Sequence, residues 1–165
     1  MRREIILDAK GSELFKEELE KLLELLQIHI YVPIDNIKTI IEVDFYEKGE
    51  SFPGREKDEK LAIDSIINHY DNAKKAIHEA ELLLDIMSKK AERYRANNTA
   101  LNDLLDSIYI DIRDIEDSLW NAMKTFENYP YGGIKELYKA SVNGLKIIDK
   151  IRDELIEAMN GGVFM

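Results

Sequence analysis

Apolar and small residues recur at alternating three- and four-residue steps through Ile63, Ile66, Tyr70, Ala73, Ile77, Ala80, Leu84, Met87, Ala91 and Tyr94. That rhythm predicts one long helix, about residues 58–96, with a coiled-coil seam. It returns in Leu101, Leu105, Ile108, Ile112, Ile115, Leu119, Ala122, Phe126 and Tyr129, and again in Leu137, Ser141, Gly144, Ile148, Ile151, Leu155 and Ala158. Second and third long helices are therefore expected over 99–129 and 133–160. The breaks between them, Asn97-Asn98 and Pro130 to Gly133, are short, so consecutive helices must lie antiparallel. The expected fold class is mainly α: an antiparallel bundle of three long helices, with a short N-terminal helix and a small β element packed on it.

Residues 1–55 lack a sustained heptad and hold two of the three prolines, Pro33 and Pro53. They are read as a small N-terminal α/β unit, with 56–165 as the long-helix bundle. Phe15, Leu19, Leu22, Leu23 and Leu26 predict a helix over about 12–27 with Ser12 as N-cap. Ile28, Ile30 and Val32 alternate with His29 and Tyr31, which predicts a short strand; Ile41, Val43 and Phe45 alternate likewise. A helix opened by Asp35, with Ile37, Ile40, Ile41 and Phe45 on one face, is the alternative for the second stretch. The β-branched run Thr39-Ile40-Ile41 favours strand. Glu4 to Leu7 is a third candidate strand, and Gly49 to Gly54 reads as a linker.

One stretch of the first long helix carries more apolar surface than its seam uses. In Ala80-Glu-Leu-Leu-Leu-Asp-Ile-Met87 the seam takes Ala80, Leu84 and Met87, leaving Leu82, Leu83 and Ile86 pointing elsewhere. A helix apolar nearly all round must be covered on more than one side. The N-terminal unit, a second copy of the chain and another protein are the three possible covers. Ile110, within an acidic face, and Trp120, just outside the seam, are further interface candidates. The closing Gly161-Gly-Val-Phe-Met165 adds an apolar tail.

Charge narrows the partners. Thirty-three acidic against 23 basic residues give a net charge of −10, which disfavours nucleic-acid backbones and favours basic partners or divalent cations. The second long helix carries Asp103, Asp106, Asp111, Asp114, Glu116 and Asp117. At about 100° per residue, Asp103, Asp106, Asp114 and Asp117 fall opposite the seam and form an acidic stripe facing solvent. Pairs such as Asp111-Ile-Arg-Asp114 have the spacing used by all-α nucleotide pyrophosphohydrolases, but that mechanism needs them turned inward. The cluster Lys89, Lys90, Arg93 and Arg95 sits where the helix macrodipole favours cations.

Dedicated chemistry is scarce. Without cysteine there is no disulfide, iron–sulfur cluster or thiolate zinc site. No Glu-x-x-His pair supports a ferritin-like diiron centre, and no Gly-x-Ser-x-Gly elbow supports a serine nucleophile. His29, His69 and His78 read as surface or packed imidazoles, and Gly132-Gly133 as a turn without a phosphate-binding lysine motif. No catalytic residue, metal ligand or cofactor is assigned. The apolar run at the N-terminus, Ile5 to Leu7, is too short for a membrane span, so a cytoplasmic address without a membrane partner is expected. A single glutamine, no cysteine and 34% charged residues lean toward a heat-tolerant source. The leading expectation is a non-enzymatic protein–protein interaction or assembly module that forms a homo-oligomer. A divalent-metal-dependent all-α nucleotide hydrolase and an acidic decoy for a basic nucleic-acid-binding surface are the alternatives.

Overall fold

The computed structural model of the chain describes residues 9–47, 56–93 and 99–160, and these are helical almost throughout. The first segment is a continuous helical rod. It passes from α1 (Ala9–Glu24) through a π-helical turn at Leu25–Ile30 into α2 (Tyr31–Ile40), then into a second π-helical turn at Ile41–Glu47. Three long helices follow: α3 (Glu56–Arg93), α4 (Thr99–Asn128) and α5 (Pro130–Met159). At 38, 30 and 30 residues, they span about 57, 45 and 45 Å. The Glu4–Leu7 strand candidate, the Gly49–Gly54 linker, Tyr94, Asn97-Asn98 and the Gly161–Met165 tail lie outside the described residues.

The strands expected at 28–32 and 41–45 are helix instead, and side-chain burial gives the reason. Leu22, Leu26, Ile30 and Ile34 follow one another at steps of four, as do Ile37, Ile41 and Phe45, and all seven are buried. In an α-helix each step of four overshoots a full turn by about 40°, so a row of such steps drifts off the core. A π-helical turn, closed by bonds to the fifth residue back, holds more residues and absorbs the drift. Tyr31 N–H bonds to the Leu26 carbonyl in this way. Pro33 reinforces the opening, because it has no N–H to give to the His29 carbonyl and its ring crowds that group. The alternation in Ile28, Ile30 and Val32 therefore has a different cause: Ile30 is buried, while its neighbours Ile28 and Val32 are exposed.

Two helix starts also differ. Ser12 lies inside α1 rather than capping it. The break before α5 narrows to Tyr129, whose extended backbone (φ −153°, ψ 84°) turns the chain, and Pro130 occupies the first helical position, where its missing N–H is harmless. Tyr129 donates its N–H to the Thr125 carbonyl at 2.8 Å, and Gly133 donates to the Tyr129 carbonyl at 3.0 Å. Exposed Tyr129 thus leaves the seam one residue after α4 ends.

All the elements bury residues in one apolar cluster, including Phe15, Ile34 and Phe45 of the rod, Leu84 of α3, Phe126 of α4 and Ile151 of α5. The rod packs on α3 and α5, and α4 packs on the same two helices. Cross-element pairs give their directions. Glu81 and His78 of α3 meet Arg113 and Glu116 of α4 respectively. Lys150 of α5 meets Asp111 of α4, while a Cβ on Gly133 would strike Phe126. Tyr131 and Tyr138 of α5 meet Phe45 and Glu42. In each case numbering rises on one partner as it falls on the other, so these neighbours run in opposite senses.

Candidate functional site

The α3 residues singled out by their excess of apolar surface divide between core and solvent. Leu83 is partly buried against the core, whereas Leu82 and Ile86 are 65% and 55% exposed. The rod approaches α3 at Lys90, which donates to Glu18 at 3.0 Å and lies 5.8 Å from the centre of the Phe15 ring, yet it leaves Leu82 and Ile86 open. This also accounts for one member of the expected basic cluster: Lys90 joins two elements. Ile110 and Trp120 on α4 are exposed as well, with the Lys124 ammonium 4.2 Å from the Trp120 ring centre.

Asp103, Asp106, Asp114 and Asp117 are all exposed on α4. Asp111 differs from them, being partly buried and accepting a hydrogen bond from Lys150 at 3.0 Å. The pair Asp111 and Asp114 is thus divided between an interhelical tie and solvent, which is not the converging arrangement that a two-carboxylate metal site needs.

A different group does converge. His78, Glu81 and Glu116 each offer a ligand atom, and these atoms all lie within 4.8 Å of one another, the one such group of three among the described residues. His78 and Glu81 are three apart on α3 and so share a face. Glu116 reaches them from α4, its Oε2 being 3.0 Å from His78 Nε2. The two carboxylate side chains are largely covered, 15% and 18% exposed, while the imidazole is 56% exposed. Arg113 sits 3.7 Å from Glu81 and 3.9 Å from Glu116. Burial pushes the Glu81 carboxyl above its ordinary range, helped by the charge of Glu116 and a hydrogen bond between the two acids; Arg113 and His78 pull the other way. Beside this group a groove of 540 Å³ runs between α3 and α4, lined among others by His78, Glu81, Leu82, Asp106 and Tyr109.

Part of this was readable in the chain. His78-Glu-Ala-Glu81 is a His-x-x-Glu pair, the reverse of the Glu-x-x-His order sought above. The partner Glu116 carried no such signal, because it is chosen by the register of α4 on α3.

Fold and site together define an all-α helical-bundle protein with an open apolar patch and a His–carboxylate cluster on its α3–α4 side. No protein-family model matches the chain, and neither the curated proteins nor the solved structures give a match. Among the described residues, no helix is long and apolar enough to cross a membrane.

Proposed function

We propose that the protein is an interaction or assembly module of the cytoplasm, working through the apolar residues Leu82 and Ile86 and forming a homo-oligomer. The observation that carries this reading is their exposure, one turn apart, in the interior of a 38-residue helix whose seam from Ile66 to Ala91 is buried. Two large aliphatic side chains one turn apart gain about 1.5–3 kcal/mol each when a partner covers them fully. A second copy of the chain is the expected occupant. With a net charge of −10 per chain, the copies repel at low salt, so assembly strengthens as salt screens the acidic stripe. Metal and cofactor are not required, and neither a membrane nor a nucleic acid is an expected partner.

Light scattering tests the proposal. The wild type is expected well above the 19.2 kDa of one chain, and Leu82→Glu or Ile86→Glu is expected to return it to monomer mass with helicity retained. A monomeric wild type, or variants of unchanged mass, would overturn it.

The exposure of Asp103, Asp106, Asp114 and Asp117 supports one further reading, the acidic decoy for a basic nucleic-acid-binding surface. That reading requires binding to a basic protein that weakens steeply with salt and disappears when all four are changed to asparagine.

A further inference from the structure

We propose that His78, Glu81 and Glu116 form a binding site for a divalent first-row transition ion, a property separate from assembly through Leu82 and Ile86. The donor set is one imidazole and two carboxylates. Imidazole selects the zinc, iron and nickel class over magnesium, while the carboxylates supply negative charge for a dication. The three ligand atoms already lie within 4.8 Å of one another. A tetrahedral ion with bonds of about 2.1 Å needs its donors about 3.4 Å apart, so rotamer adjustments of the order of 1 Å complete the site without moving either helix. The backbone beneath is held firmly: Ile77 and Ala80 on α3, and Ile112 and Ile115 on α4, are at most 2% exposed.

Electrostatics favour the ion over the present arrangement. Two largely covered carboxylates in hydrogen-bonding contact repel when both are ionised. Arg113 answers that repulsion only loosely, at 3.7 and 3.9 Å rather than through a close two-pronged pair. Its side chain is half exposed, and Asp117 lies one helical turn further on, within reach of a guanidinium displaced by an incoming cation. The exposed edge of His78 provides the way in, and three protein ligands leave coordination positions open on the side of the neighbouring groove.

Titration calorimetry on the full chain, stripped of metal by a chelator, tests the site with zinc and magnesium as separate probes. One zinc per chain is expected, with magnesium binding far more weakly. His78→Gln, at an exposed position that leaves the core untouched, is expected to weaken zinc by more than about tenfold, and Glu116→Gln similarly. Cobalt is expected to give ligand-field absorption bands that His78→Gln removes, and Asp103→Asn, outside the groove lining, is expected to leave zinc affinity within about twofold of the wild type. Absence of zinc binding, zinc affinity unchanged in His78→Gln, or magnesium binding as tightly as zinc would each overturn the proposal, the last two by showing a general response to negative charge. Because Leu82 and Ile86 are intact in His78→Gln, its assembly mass is expected to match the wild type, which separates failure of the metal site from failure of the assembly reading.

Discussion

Two glycines of α5 meet α4 in different ways, and the difference sets opposite expectations for the same substitution. A Cβ on Gly133 would lie 2.5 Å from the backbone nitrogen of Phe126 and 2.7 Å from its Cα. Backbone atoms do not rotate aside, so Gly133→Ala must push the start of α5 away from the end of α4. A Cβ on Gly144 would meet only side-chain atoms, Ile115 Cγ2 at 3.7 Å and Ile34 Cδ1 at 3.8 Å, which is ordinary contact. There the substitution removes the entropy that glycine loses in a helix. Gly133→Ala is expected to destabilise by about 1–3 kcal/mol, and Gly144→Ala to stabilise by about 0.4–1 kcal/mol. At about 2–4 °C per kcal/mol for a chain this size, thermal melts resolve both. A rise in Tm for Gly133→Ala would show that the two helices are not in this close contact. Sequence inspection marks both residues as small, but which one faces backbone depends on the interhelical register. The same holds for Glu116: its type and its helix are legible, while its meeting with His78 and Glu81 follows from how α4 slides along α3.

Among the elements, legibility followed the period of the apolar pattern. In α3, α4 and α5 the three–four alternation matches an α-helical turn, and seam residues from Ile66 to Ala91, Leu101 to Phe126 and Leu137 to Ala158 are buried. The rod lacked that clarity because repeated steps of four fit neither an ideal α-helix nor only a helix: Ile28, Ile30 and Val32 also satisfy the two-residue period of a strand. Widened turns at Leu25–Ile30 and Ile41–Glu47 resolve the conflict. A π-helical turn of this kind behaves as a residue added to an α-helix, which leads to a direct test. Deleting exposed Gln27 would convert Leu22, Leu26 and Ile30 from 4–4 to 4–3 spacing and let the turn close as α-helix with the downstream face still on the core. The deletion variant is expected to fold, with Tm within a few degrees of the wild type. Deleting Tyr109 from α4, a regular helix, is expected to rotate every later seam residue by about 100° and abolish the cooperative melt. If both deletions prove equally damaging, the wide turn is not what keeps the rod in register.

For the molecule as a whole, stability is expected to decline from mildly acidic to alkaline pH. Glu81 is faced by His78 on its own helix and by Arg113 and Glu116 from α4, and its carboxyl is raised by burial and then by the charge of Glu116. Glu154 is raised too, again chiefly by burial. A carboxyl with a raised folded value holds its proton more tightly in the folded chain, so stability falls as pH climbs from the ordinary value of 4.5 through the raised one. Glu42 acts in the opposite sense. The hydrogen bond from Tyr138 lowers its carboxyl, and that contribution is present above the ordinary value and lost as pH falls through the lowered one. The two senses leave the most stable range around the ordinary carboxylate value of 4.5, close to the isoelectric point of 4.9 where net self-repulsion also vanishes. Melting at about pH 5 is therefore expected to lie above melting at about pH 8. Glu81→Gln removes one ionising member of the crowded pair, so it is expected to raise Tm at the alkaline end more than at the acidic end. Parallel pH profiles for wild type and variant would show that the Glu81–Glu116 repulsion adds nothing to the decline, leaving net charge as its source.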